Sequence, residues 1–128
     1  MARRIASVIP TEAQEQKALF EWAEAAQGKY PALRYMFHIP NGGSRNMIEA
    51  RHLKEQGVKA GVPDIFLPCP NTINMGLFIE LKRRERGTVS KAQAMWIFEL
   101  NSAGYRAVVC KGWEEARDEI IRYLSVKL

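Results

Sequence analysis

From Thr11 onward the apolar residues recur at helical spacing, with Leu19, Phe20, Trp22, Ala23 and Ala26 on one stripe. Thr11 and Gln14 fit a capping box, Pro10 stands just ahead and Gly28 follows, so the pattern predicts a helix over 11–27. Beyond Pro31, the aromatic and branched content of 33–39 reads as a strand. Turn chemistry at Asn41-Gly42-Gly43-Ser44 separates it from a helix over 46–56, with Gly57 at the stop position. Residues 62–67 and 77–82 read as two strands paired as a hairpin, Pro63 being tolerated near a strand start. Ser90 and Gln93 form a second capping box and open a helix to 103, before Gly104. Residues 105–110 make the last strand, and Trp113, Ala116, Ile120, Tyr123 and Leu124 mark an amphipathic helix over 113–124. Residues 1–10 show no periodicity and are read as a flexible N-terminal arm. The order helix, strand, helix, strand, strand, helix, strand, helix predicts an α/β fold, a single domain with a mixed central β-sheet flanked by helices.

Length and composition narrow the class. A chain of 128 residues, 47% hydrophobic, buries roughly two-thirds of its unfolded surface and holds a core without staples. The longest apolar run is the five residues 94–98, against the ~20 of a membrane-spanning helix, so no membrane association is expected. Arg3 and Arg4 precede an apolar stretch too short for a signal peptide and ended by Pro10, which points to a cytoplasmic protein. Cys69 and Cys110 form no Cys-x-x-Cys pair and read as reduced packing residues. His38 and His52 have no cysteine or histidine at ligand spacing, so zinc is not expected. The net charge of +5 and pI near 9.4 suit a polyanionic partner such as nucleic acid, and equally suit plain solubility.

The strand over 77–82 carries the first unusual residues. Its odd positions, Leu77, Ile79 and Leu81, form a core face, which places Glu80 and Lys82 together on the other face with Phe78. Charged residues two apart on a strand lie about 7 Å apart at their Cα atoms and can converge on one ligand. They can also be solvated residues of an edge strand. Asp64, after Pro63, is brought toward Glu80 by the hairpin, although an aspartate there also fits ordinary turn chemistry. Two carboxylates meeting there repel unless a cation separates them, and Mg²⁺ favours one or two carboxylates with water and phosphate oxygens. Lys82 is placed to orient water or to offset charge in a transition state.

Gly61-Val62-Pro63-Asp64, a spacer, and Glu80-Leu81-Lys82 resemble the signature of the PD-(D/E)XK nuclease superfamily. Pro40-Asn41-Gly42-Gly43, Gly57-Val58-Lys59-Ala60-Gly61, Gly76-Leu77-Phe78-Ile79, Ser90, Gln93 and Gly104-Tyr105 are similar to its VRR-NUC family, the virus-type replication-repair nucleases. The resemblance spans about 12–109 and implies a restriction-endonuclease-like core, with 11–128 as the nuclease domain. It implies Mg²⁺ or Mn²⁺ held by Asp64, Glu80 and the carbonyl of Leu81, and Lys82 as the catalytic lysine. Many relatives add a glutamate from the first helix, for which Glu12 and Glu15 compete here. On a helical wheel of about 100° per residue with Glu12 at the origin, the apolar stripe centres near Glu12, Gln16 stands at about 40° and Glu15 at about 300°. Glu12 is therefore preferred and Glu15 kept second, although a first-turn glutamate also serves the helix dipole. The resemblance places Gln93 near the site, whereas the capping box needs it only for the backbone of Ser90.

Asn41, Arg45, Lys59, Arg83, Arg84 and Lys91, with Arg51, Lys54 and Arg86, are placed to track a nucleic-acid backbone or stand as solvated charges. No Gly-Lys-Ser/Thr follows the glycines at 42–43, which excludes a nucleoside-triphosphate loop. Compact VRR-NUC relatives look like homodimers acting on four-way junctions, and a two-fold dimer presents two matched sites. Trp96, Phe98 and Trp113 are candidates for such an interface or for the core. With the domain nearly all nuclease core, selectivity is expected from DNA shape rather than base sequence. Two rivals are an HNH-like nuclease using His38, Asn46 and His52, and a non-catalytic nucleic-acid-binding module. The first spreads its residues over a strand end and a helix, and the second leaves charged residues without a use.

Overall fold

Strand β3 (Leu77–Lys82) realises the predicted alternation. Leu77, Ile79 and Leu81 are fully buried on one face, while Phe78, Glu80 and Lys82 lie on the other. The computed structural model describes residues 8–40 and 46–126, so the predicted contacts Asn41 and Arg45 lie outside the described residues. β3 pairs antiparallel with β2 (Ile65–Leu67) and parallel with β4 (Arg106–Lys111), and β2 also pairs antiparallel with β1 (Phe37–His38). The sheet order is β1-β2-β3-β4, a mixed sheet as expected.

Helices α1 (Glu12–Ala25) and α4 (Trp113–Leu124) cover the face of Leu77, Ile79 and Leu81. Glu15, Leu19 and Ala23, at i, i+4 and i+8, are the buried line of α1. Leu19 and Ala23 join Ala116, Ile120 and Tyr123 of α4 in the core. The Tyr123 hydroxyl donates to the carbonyl of Cys69 at 2.6 Å and fastens the loop after β2. On the other face Phe66 stacks on Phe78 at 4.2 Å, with Phe37 and Tyr105 edge-on to the pair, a cross-strand ladder of aromatic rings. Helix α2 (Met47–Glu55) buries no side chain, and Asn46 caps it by accepting from the Glu49 N–H at 2.8 Å. Helix α3 (Lys91–Ser102) links β3 to its parallel neighbour β4, and the Asn101 amide bonds both backbone groups of Ala107.

The strand expected over 33–39 is replaced by a 3₁₀ helix, Pro31–Tyr35, with only Phe37–His38 extended. Pro31 presets the backbone at the first helical position, where its missing N–H is not needed. Leu33 and Met36, three apart, share the buried side, whereas Tyr35 and Phe37 are exposed. Spacing of three, not two, was the relevant period. The strand expected over 62–67 shortens to Ile65–Leu67, with Pro63 buried ahead of it. Ile9 and Pro10, read as the end of an arm, accept hydrogen bonds from the Arg83 guanidinium, both at 3.2 Å.

Gly61 has φ +91°, and a Cβ there would lie 2.7 Å from the carbonyl carbon of Ala92 on α3. Gly61→Ala is therefore expected to destabilise the fold by about 2 kcal/mol or more through combined backbone strain and overlap. Chemical denaturation checks this, and an unchanged midpoint would show that α3 does not seat on this segment.

Candidate active site

Register builds the site. Ile65 opposes Ile79 across β2 and β3, so one further step sets Asp64 opposite Glu80. Oδ2 of Asp64 accepts the N–H of Leu81 at 2.8 Å, which fixes that carboxylate against β3. Glu12, at the first turn of α1, completes the group: one carboxylate oxygen from each of Glu12, Asp64 and Glu80 lies within 4.8 Å of the others. Among the described residues this is the one cluster of three such side chains.

Glu80 is 1% exposed. Its Oε2 has two cationic or polar neighbours, Nε2 of Gln93 at 3.2 Å and Nζ of Lys82 at 3.6 Å. Its Oε1 is buried without a protein partner. Burial, and then the Asp64 carboxyl close enough to share a proton, push the Glu80 carboxyl up to about 8, against the opposing pull of Lys82. Lys82 is itself only 6% exposed.

This donor set fits a hard divalent cation. Three carboxylates converge with no imidazole or thiolate, the pattern of Mg²⁺ or Mn²⁺ rather than zinc. The partnerless Oε1 of Glu80 is an acceptor that such an ion would satisfy.

The two glutamates of α1 have separate work. Contrary to the wheel, Glu15 is the more deeply buried, at 1% exposed, while Glu12 is exposed. Glu15 accepts from Arg84 at 2.8 and 3.3 Å and from the N–H of Trp113 at 3.1 Å. Gly112, before α4, has no side chain to cap that helix, so Glu15 caps it from α1. Arg84 also bonds Glu114. This assigns Arg84 to a bridge between α1 and α4, and Arg83 to the backbone of Ile9 and Pro10. Both residues, expected to track a nucleic-acid backbone or to stand as solvated charges, are thus engaged within the protein. The Gly112 gap ahead of α4 was the available signal for a cap supplied from elsewhere. Lys59 and Lys91 are exposed, as are Arg51, Lys54 and Arg86.

Gln93 makes two contacts with one amide. Its Oε1 accepts the Ser90 N–H at 2.9 Å while its Nε2 faces Glu80. Of the aromatic residues considered for a subunit contact, Trp96 donates to the carbonyl of Ala60 and Trp113 packs against the core, while Phe98 is 67% exposed. His38 and Asn46 are tied to the Asp64 carbonyl and the α2 cap, so they form no HNH-like constellation with His52. Cys69 and Cys110 are both free thiols. Among the described residues no helix is long and apolar enough to cross a membrane.

A mixed sheet between helices, with acidic residues meeting at an antiparallel strand pair and a lysine two positions on, defines an α/β fold of the PD-(D/E)XK type. The VRR-NUC domain model matches residues 4–114, and on this match the chain belongs to the VRR-NUC family. A solved structure described as a VRR_NUC domain protein is 31% identical, with a TM-score of 0.80 over 92% of this chain and 91% of that one. No curated protein matches. Family membership carries a nuclease-type function and a nucleic-acid substrate.

The Glu80 carboxyl gives the metal-free protein a pH signature. The unfolded group ionises near 4.5 and the folded one near 8, so the native state binds the extra proton between them. Stability from this group is then lost as pH rises through that window. The Tm of the metal-free protein is expected to fall across it, and Glu80→Gln to flatten the fall. Mg²⁺ should raise the Tm more at the alkaline end. A slope unchanged in Glu80→Gln would overturn the assignment.

Proposed function

We propose that the protein is a metal-dependent, structure-selective DNA endonuclease, active with Mg²⁺ or Mn²⁺ and favouring branched DNA such as four-way junctions. The observation that carries this reading is the buried Glu80 carboxyl, one oxygen unpartnered, in a cluster with Asp64 and Glu12. Glu12, Asp64, Glu80 and the carbonyl of Leu81 would hold the cation. When bound, it supplies Lewis acidity to the scissile phosphodiester and to the attacking water. The Asp64–Leu81 hydrogen bond keeps one carboxylate oriented without help from solvent. Lys82, held at Oε2 of Glu80, brings an ammonium to offset negative charge building on the phosphate oxygens.

The exposed Lys59, Lys91 and Arg86 are the cations this reading assigns to phosphate contacts, which position DNA without reading its sequence. A homodimer is part of the proposal, supported by Met95 and Phe98, three apart and exposed on α3. Cytoplasmic residence fits two unpaired thiols.

Asp64→Asn is expected to abolish cleavage with the fold intact. Lys82→Met should cut kcat by about 100-fold or more, well beyond any change in Mn²⁺ affinity, because its charge acts in the transition state. The assay uses labelled four-way junction, flap, single-stranded and linear duplex DNA, each with and without Mg²⁺. Cleavage by Asp64→Asn at the native rate would overturn the site, and equal cutting of linear and branched duplexes by a monomer would overturn the selectivity.

A further inference from the structure

Oε2 of Glu80 is held by Gln93 and Lys82, while Oε1 has no protein partner. Which oxygen is left over is therefore decided by where those two donors stand. Gln93 is at the third position of α3, and Ser90 is its N-cap. The Ser90 hydroxyl accepts the Gln93 N–H at 3.1 Å, and the Gln93 side-chain oxygen accepts the Ser90 N–H at 2.9 Å. An amide has one acceptor end and one donor end. With the oxygen committed to the cap, only the NH₂ remains to face Glu80, and it donates to Oε2. A glutamate serves a capping box equally well, but it would present a second carboxylate to Glu80 instead of a donor.

We infer that Ser90 and Gln93 are positioning residues for the metal site, the capping box of α3 aiming the Gln93 amide so that Glu80 keeps its Oε1 for the cation. This rests on the reading of Glu80 as a metal ligand. The turn from β3 to α3 thereby ties the start of a helix to the orientation of a ligand on the neighbouring strand. Gly61, packed on Ala92 beside Gln93, holds the same helix end against the segment that carries Asp64.

The test separates capping from positioning. Gln93→Leu removes the donor and the side-chain acceptor, and Gln93→Glu restores only the acceptor. Mn²⁺ affinity is measured by electron paramagnetic resonance on the intact protein without DNA, Tm by calorimetry, and cleavage of a four-way junction in Mg²⁺ separately. Gln93→Leu is expected to weaken Mn²⁺ binding about fivefold or more. Gln93→Glu is expected to keep the native Tm yet lose tenfold or more in kcat at unchanged KM. Ser90→Ala should weaken Mn²⁺ binding in the same direction, and Ser90→Thr, which also caps, should restore it. Native Mn²⁺ affinity in Gln93→Leu, or full kcat in Gln93→Glu, would overturn the inference. Asp64→Asn distinguishes the two failures: if it too binds Mn²⁺ normally, the metal-site reading has failed, and if it alone loses Mn²⁺, only the role of Ser90 and Gln93 has.

Discussion

Asp64 and Glu80 cannot separate. Their juxtaposition is set by backbone pairing between β2 and β3, and the Leu81 N–H holds Asp64 in place. A buried carboxylate beside another is unfavourable by both desolvation and repulsion, and the protein answers by keeping a proton on Glu80 up to about pH 8 when no cation is present. Much of the surrounding structure bears on this one conflict. Lys82 offsets part of the charge, Gln93 donates to one oxygen, and once that proton is lost the other oxygen has no donor. An uncompensated acceptor in an interior is the sort of cost that persists where a bound ion removes it.

The apolar part of the molecule supplies the rigidity that this conflict needs. Leu77, Ile79 and Leu81 alternate with Phe78, Glu80 and Lys82, so the same strand that anchors the core presents the charged pair. Moving Glu80 away would require a register slip, which would drive every core leucine and isoleucine of β3 to the opposite face. Burial of those three side chains, each worth about 1.5–3 kcal/mol, is thus also what holds the acids together.

Much of this was legible in the sequence. Period-two alternation at 77–82, Pro63 before Asp64 and the hairpin between them point to the strand pair and its acids, and two capping boxes appear with their predicted partners. The segment 33–39 misled because Leu33, Tyr35 and Phe37 offer a strand pattern, while Leu33 and Met36 offer a 3₁₀ pattern that Pro31 favours. Glu15 misled for a different reason. A helical wheel weighs apolar positions alone, and a buried charge is invisible to it unless its partner is known. That partner, Arg84, lies 69 residues away in the sequence. Gln93 is ambiguous in the sequence because a capping glutamine and one facing Glu80 leave the same pattern, and one amide makes both contacts.

The arrangement of α1 shows how the structural and the chemical glutamate depend on each other. Glu15 is clamped by Arg84 and by the first N–H of α4, which leaves α1 little freedom to rotate about its own axis. Glu12 is three residues earlier, within the same turn, so its direction follows from the rotation that Glu15 imposes. An exposed side chain at a frayed helix start would otherwise sample many orientations, and the Thr11–Gln14 capping box restrains that end as well. The acid that reaches Asp64 and Glu80 is held in direction by contacts it does not itself make. The Glu15–Arg84 pair therefore belongs to the geometry of the site as much as to the stability of the fold, even though neither residue is a member of the carboxylate cluster.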